Sequence, residues 1–462
     1  MKSLVDENSQ SHSPLSSSIE DNELIAAVAT ALGAGAVSII RLSGRSVLKA
    51  LAKIFSQTEQ LAKKPRTMVL GRLVNPVNGC VIDQVLAVYF PGPGSFTGED
   101  SAEIQGHGGS TVPTLVLEAC LDAGARLARP GEFTQRAFLN GQMSLDQAEA
   151  VAELVASQSR LEVELSARHL EGALAKRLNP ISSKLKSLCA DSTAYLDFEE
   201  EYDQEKAKAF KDKLTFLIKE LEAVINLGQS GRIFRTGLRV ALAGPPNVGK
   251  SSLFNALLGK DRALVSRVEG TTRDYLESSV DWQGLRVELV DTAGLREEGA
   301  DELERLGQEL TKREMTRADV VVSIGDLSRP QVTTPIVDLG GIPTIKVWNK
   351  VDLAPEGQSD EELLISALTG QGLEKLKEKI LSLVGEALVR PPEVAPNLRQ
   401  QKALEETLKF LKASLSALEE GHPLDIVSME LSEALAAIGL VTGRTLTEDM
   451  LQEVFSRFCL GK

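Results

Sequence analysis

The stretch GPPNVGKS places Gly244, Gly249, Lys250 and Ser251 in the spacing G-x-x-x-x-G-K-[ST], directly after the apolar run GLRVALAG. Glycines at these places let backbone amides wrap phosphate oxygens, and a helix beginning at the lysine adds the positive end of its dipole. Lys250 is then set to reach the β- and γ-phosphates and Ser251 to ligate Mg²⁺, with Val248 and Ser252 completing the loop. Asn247 is unusual there, because an amide oxygen beside the phosphates can hold a monovalent cation. RVELVDTAG is a second apolar run ending in polar residues. It brings the Asp291 carboxylate toward Mg²⁺ and Thr292, Ala293 and the Gly294 amide toward the γ-phosphate. TIKVWNKVD ends in Asn349, Lys350 and Asp352. A carboxylate at Asp352 accepts from the N1–H and exocyclic amine of guanine, a donor pair that adenine lacks. Ser366, Ala367 and Leu368 follow as a loop whose amide can meet guanine O6. EGTTRD, between the first two motifs, holds Thr272 where a switch loop would supply a second Mg²⁺ ligand. Five motifs in this order predict a GTPase.

Two features need a further reading. The residue after DTAG is Leu295, which has no polar atom to orient an attacking water. The acidic stretch after it offers Glu297, Glu298, Asp301, Glu302 and Glu304, which the residues alone do not separate. The chain also ends in SRFCLGK. Gly461 and Lys462 do not suit a prenylation box. A buried thiol and a working nucleophile both remain. Met450, Leu451, Val454, Phe455 and Phe458 recur at helical spacing, so Cys459 emerges at a helix end beside the Lys462 cation, which favours thiolate.

These residues need strands and helices to position them. Residues 23–140 alternate short apolar runs with turn signals, as a mixed α/β domain does. From Leu145 the apolar period becomes helical and persists to Pro180, and a second helical stretch stops at Gly228. RPPEVAP (390–396) is a stiff boundary, followed by helices ended by Gly421 and begun again near Thr447. The expected plan is a disordered tail (1–22), an N-terminal α/β domain (23–140), a helical domain in two parts (141–235 and 390–462) and an inserted Ras-like P-loop module (236–389). The chain has 462 residues and a net charge of −14, which argues against coating nucleic acid by bulk charge. Its four cysteines are scattered, suggesting neither disulfides nor zinc, and a reducing cytoplasm fits. No apolar run reaches membrane-spanning length, so no membrane anchor is expected. GAGAVS (33–38) has Ser38 where a dinucleotide fingerprint needs its third glycine.

FTGEDSAEIQGHGG (96–109), RPGEFTQRAFLNGQ (129–142), GPPNVGKSSLFNAL, GTTRD, DTAGLRE and the terminal FCLGK together closely resemble the MnmE/TrmE family of tRNA-modification GTPases, along nearly the whole chain. The resemblance implies an N-terminal folate-binding domain that also dimerises, a helical domain and an inserted G domain. It implies a homodimer working with an FAD-containing partner of the MnmG/GidA type on C5 of the wobble uridine of tRNAs. GTP, Mg²⁺, K⁺ and a methylene- or formyl-tetrahydrofolate are the implied cofactors. K⁺ ligands fall on Asn247, Ser266, Val268 and Thr271, and the water-orienting glutamate falls on Glu304. Folate contacts fall on Arg41, Glu103 and Lys462. Where the family carries a lysine, this chain has Gln142, without the cation that would attract the folate glutamate tail. The resemblance gives Cys459 a functional role, either adding to C6 of uracil or assisting methylene transfer. The G motifs alone fit equally an RNA-binding or assembly switch without modification chemistry.

Overall fold

The structure, a computed structural model, describes residues 23–31, 33–197, 204–259, 277–291, 315–329, 341–353, 363–383, 392–443, 445, 447–456, 458 and 461. The expected tail at 1–22 lies outside them. The chain forms two compact units, residues 1–152 with 436–462, and residues 153–435.

In the first unit, strands β1 (Ile25–Val28), β2 (Val37–Ser43), β3 (Val69–Val74), β4 (Val81–Phe90), β5 (Ser101–His107) and β6 (Arg126–Leu127) make one sheet. The order is β3-β4-β5-β2-β1-β6, antiparallel except for β1 with β6. Helix α1 (Val47–Ile54) buries Val47, Ala50, Leu51 and Ile54, the i, i+3, i+4, i+7 stripe of an amphipathic helix. With α2 (Thr58–Lys63) and α3 (Val112–Asp122) it packs on Ile40, Leu42, Leu73 and Ile104 of the sheet. Cys120 lies in this core, and burial pushes its thiol up to about 12, so it packs as a small hydrophobe. After α4 (Glu132–Leu139), Leu145 and Ala148 at the start of α5 (Leu145–Ala156) pack with Leu451, Phe455 and Phe458 around the terminal helix Glu448–Ser456.

The second unit holds β7 (Leu238–Ala243), β8 (Glu277–Trp282), β9 (Leu285–Asp291), β10 (Val320–Asp326), β11 (Thr344–Asn349) and β12 (Leu363–Leu364). Their order is β12-β11-β10-β7-β9-β8, parallel except for the β8–β9 hairpin. Strand β10 is buried at every residue, as a parallel strand covered on both faces must be. The chain leaves β7 into α9 (Lys250–Leu258), and β9 and β10 lie on opposite sides of β7. The loop after β7 therefore sits at a switch point, where open α/β sheets bind ligands.

Helices α6 (Arg160–Leu170), α7 (Ala173–Asp197), α8 (Gln204–Thr236) and Leu398–Glu419 also belong to this unit, with α8 packed on α7 and on Leu398–Glu419. Leu161, Leu165, Phe234 and Ala395 share one core with Val240, Trp282, Val287 and Leu289 of the sheet.

The helices differ from the sequence expectation in two places. Pro180 lies inside α7 and does not end it, because Leu174, Leu178, Ile181, Leu185 and Leu188 are buried at helical spacing on both sides. Gly228 does not stop α8 either. A Cβ there would stand 3.1 Å from Pro396 Cδ, and one on Gly231 would stand 2.4 Å from Ala395 Cβ. These glycines admit a neighbouring segment against the helix. Gly421, with φ +75°, does follow the end of Leu398–Glu419 as expected.

A buried charge network braces the first unit. Glu132 is fully buried and accepts from Arg126 Nη2 at 2.6 Å, Arg136 Nη2 at 3.0 Å and the Arg129 amide at 2.8 Å. Arg136 also reaches Glu99, whose Oε2 accepts from Ser43. Burial alone would raise the Glu132 carboxyl, but these donors hold it at about 2, below the ordinary 4.5 of a glutamate. The folded protein thus keeps this carboxylate ionised where the unfolded chain takes up a proton. Its contribution is complete above pH 4.5 and is lost as pH falls toward 2. Glu132→Gln leaves two arginines without their buried partner and is expected to cost about 3–5 kcal/mol at pH 7. In urea unfolding, the gap to wild type should narrow below pH 4.5; a gap constant with pH would remove this linkage.

Candidate functional site

The loop from β7 to α9 takes its shape from glycine. Gly249 has φ +93° and caps α9, and a Cβ on it would lie 2.4 Å from Asn349 Nδ2. Any side chain there would separate two loops that must meet. Lys250 is buried, and its Nζ donates to Gly244 O at 2.9 Å and Pro245 O at 2.8 Å, inside the curve of its own loop. Ser251 Oγ donates to Asp291 Oδ2 at 2.7 Å, which brings together the two oxygen ligands expected for Mg²⁺. Such a hard, oxygen-only pair suits that ion. Asn247 adopts φ +63° and is exposed, as is Ser252, while Val248 is buried.

On the nucleobase side, Asn349 is buried and bonds in two directions. Its Nδ2 donates to Val248 O at 2.8 Å and its Oδ1 accepts from Ala367 N–H at 2.9 Å. Lys350 Nζ donates to Asn247 O at 2.8 Å and to Asp326 Oδ2 at 2.7 Å. Asp352 is exposed at the start of the next loop. Ser366 is fully buried and its Oγ accepts from Thr369 N–H, which leaves Leu368 projecting at 86% exposure.

Asp326 escaped the sequence analysis. It ends β10 next to β7, with Ser328 Oγ donating to it at 2.6 Å. Burial would raise this carboxyl, but Lys350 and Ser328 hold it below the usual carboxylate range. The available signal was its position: a carboxylate at the C-terminal end of a largely apolar strand, in register with Asn349 on β11.

The first unit joins another set. Arg41 on β2 stands directly opposite Glu103 on β5. Its Nη2 and Nε donate to Glu103 Oε1 at 2.9 and 3.1 Å. The guanidinium lies 5.6 Å from the Phe96 ring centroid and 5.8 Å from that of Phe133, within cation–π range. Its Nη1 approaches Gly461 O at 3.5 Å. Gly461 has φ +86°, and a Cβ there would fall 2.4 Å from Val28 O, so the tail fits against β1 only without a side chain. Gln142 is exposed and borders the loop of Phe96, its Nε2 being 3.0 Å from where a Gly98 Cβ would stand. Ser266, Val268, Thr271, Thr272, Thr292, Ala293, Gly294, Glu304, Cys459 and Lys462 lie outside the described residues.

A family description of the MnmE helical domain matches residues 145–459, and one of the GTP-binding protein TrmE N-terminus matches residues 24–142. The chain belongs to the MnmE family of tRNA modification GTPases. Among curated relatives, the tRNA modification GTPase MnmE of Akkermansia muciniphila is 38% identical over 448 residues, covering 95% of this chain and 98% of its own. That of Roseiflexus sp. is 39% identical over 462 residues, covering 96% and 99%. That of Thermus thermophilus is 40% identical over 443 residues, covering 95% and 98%. As an MnmE family member the chain is a GTP hydrolase acting in tRNA modification. No helix among the described residues is long and apolar enough to cross a membrane.

Asp326→Ala removes a charge-assisted bond of about 1.5–3 kcal/mol that holds Lys350. Binding of a fluorescent guanine nucleotide should weaken roughly tenfold or more. Unchanged affinity would mean that Lys350 does not need this anchor.

Proposed function

We propose that this chain is a K⁺-stimulated GTPase that, as a homodimer with an FAD-containing partner of the MnmG/GidA type, builds an aminomethyl or carboxymethylaminomethyl group on C5 of the wobble uridine of tRNAs. The work would take place in the cytoplasm. The observation that supports it best is the Arg41–Glu103 pair, with Gly461 of the terminal motif against it. A switch protein without modification chemistry has no use for a polar pair gathered under an aromatic ring at the chain's cysteine-bearing end.

In the nucleotide site, Ser251, Asp291 and Thr272 would hold Mg²⁺, and Lys250 would turn from its own loop to the phosphates. Asp352 would select guanine. Asn247 with Ser266, Val268 and Thr271 would hold K⁺ where developing charge needs neutralising, and Glu304 would orient water in place of Leu295. In the other site, Glu103 would accept from the amide edge of a pterin while Arg41 steadies its carboxylate. Gln142 and Lys462 would border the rest of the molecule. Methylene- or formyl-tetrahydrofolate, when bound, supplies the one-carbon unit. Cys459, two residues before Gly461, would serve as thiolate toward uracil C6 or the methylene carbon.

The decisive experiment is reconstitution with the flavoprotein partner, tRNA, GTP, K⁺ and methylene-tetrahydrofolate, read by nucleoside analysis with GTPase rate alongside. Wild type should form modified uridine, and Cys459→Ser should lose it while GTP hydrolysis persists. No modified uridine from wild type would sink the proposal in favour of a bare switch. A separate assay concerns the cation. K⁺ in place of Na⁺ should accelerate wild-type hydrolysis, and Asn247→Ala should lose about tenfold or more of that gain. Equal K⁺ stimulation of both proteins would remove Asn247 from the cation site.

A further inference from the structure

The segment RSVLKALAKIFSQTEQLAKKPRTMVLGR (45–72) holds seven lysines and arginines and one acid, Glu59. It carries a net charge of +6 inside a chain whose total is −14. The fold keeps this charge together. Residues 45–72 run through α1, α2 and β3, and β3 is an end strand of the first unit's sheet. Ser56, between the two helices, donates its amide to Arg72 O at 3.1 Å, and its hydroxyl accepts from Arg72 N–H at 2.9 Å. Leu51, Ile54, Leu61 and Leu73 pack into one core beneath. The segment is therefore a single lobe at the edge of the sheet.

Two of the seven cations are spent inside the unit. Lys53 Nζ donates to Ala123 O at 2.8 Å, at the end of α3, and Arg66 donates to Gly94 O with its guanidinium over the Phe90 ring. The other five are exposed: Arg45 and Lys49 at α1, Lys63 and Lys64 at the end of α2, and Arg72 on β3. Arg45, Lys49, Lys64 and Arg72 have no side-chain hydrogen bond or ion pair among the described residues. Lys63 Nζ lies 4.0 Å from Glu59 Oε2, with both side chains so exposed that water screens the attraction.

Lysines on the helices of the second unit are arranged otherwise. Lys184 pairs with Glu220, Lys211 with Glu419, Lys213 with Asp191 and Lys412 with Glu222, each across two helices. On the lobe, like charges stand within reach of one another's field, about 10 Å at 0.1 M salt, without acids interspersed. A polyanion removes that repulsion, and releases its own counterions on contact. The one aromatic residue of the segment, Phe55, is buried, so the lobe offers no ring on which a base could stack. Its chemistry suits phosphates and not bases.

We propose that this lobe is the surface on which the protein grips the sugar–phosphate backbone of tRNA. The proposal rests on the chain's membership among tRNA modification GTPases and supplies the docking face that its acidic total conceals. The acidic remainder of the chain repels RNA elsewhere, so the same charge pattern orients the encounter as well as holding it.

The test is fluorescence anisotropy of a labelled tRNA transcript with the full-length protein, without GTP, at about 50–200 mM KCl. One variant combines Lys49→Ala, Lys64→Ala and Arg72→Ala. A second combines Lys186→Ala, Lys208→Ala and Lys409→Ala, removing the same charge from exposed positions of the second unit. Thermal unfolding of both reports that each is folded. Near about 100 mM KCl the lobe variant should bind tRNA at least about tenfold more weakly than wild type, with a log–log salt slope shallower by about two. The second-unit variant should stay within about twofold of wild type. The proposal is overturned if the lobe variant keeps wild-type affinity and slope, if both variants lose alike, or if wild type shows no salt-dependent binding. Unchanged tRNA affinity with altered sedimentation of the lobe variant would overturn it too, assigning the lobe to an acidic face of a second copy. The modification reading is judged apart from this: wild type that forms modified uridine with the flavoprotein partner upholds it even where the lobe fails.

Discussion

Asn349 spends both ends of one buried amide on the backbones of two other loops, Val248 O after β7 and Ala367 N–H after β12. Three segments, 101 and 18 residues apart in sequence, are thereby fixed at one point above the sheet. The contact is close enough that position 249 has no room for a Cβ. Buried polar atoms must find partners, so moving any of these loops strands a donor or an acceptor at a cost of about 1–3 kcal/mol. The strand order follows the same requirement: β7, β10 and β11 must be adjacent for their following loops to converge. Lys350 extends the tie, joining Asn247 to Asp326.

The nucleotide motifs were legible in the sequence because phosphate and guanine recognition restrict residue type and spacing tightly. Ser251 and Asp291 stand forty positions apart in sequence and meet at 2.7 Å. Asp326 was not legible, because a single carboxylate after an apolar run has no spacing to distinguish it from a turn residue. Helix ends were misread for a related reason. Proline and glycine signal a break by local propensity, but α7 keeps Pro180 within a buried stripe and α8 uses Gly228 and Gly231 for close approach. Tertiary packing overrode local preference in both cases. The Glu132 network was invisible too, since nothing in its sequence separates a buried glutamate from a solvated one.

Two carboxylate–arginine systems in the first unit illustrate different uses of charge. Glu132 is sealed and multiply donated to, and its role is to hold α4 against the sheet. Glu103 retains about a fifth of its side-chain surface exposed, beside a ring that is itself 40% exposed. A pair left accessible in this way can exchange its partner for a ligand; the sealed one cannot.

The core that joins Leu161, Leu165, Phe234 and Ala395 to Val240, Trp282, Val287 and Leu289 crosses the line at which sequence reading separates helices from the inserted module. Cutting the chain at that line would expose the apolar surface of the β8–β9 hairpin and remove the Gly284 carbonyl's partner on Leu161. A boundary of recognition is therefore not a boundary of cooperativity. Grafting this nucleotide module onto another scaffold requires α6 and the end of α8 to travel with it, as one melting unit.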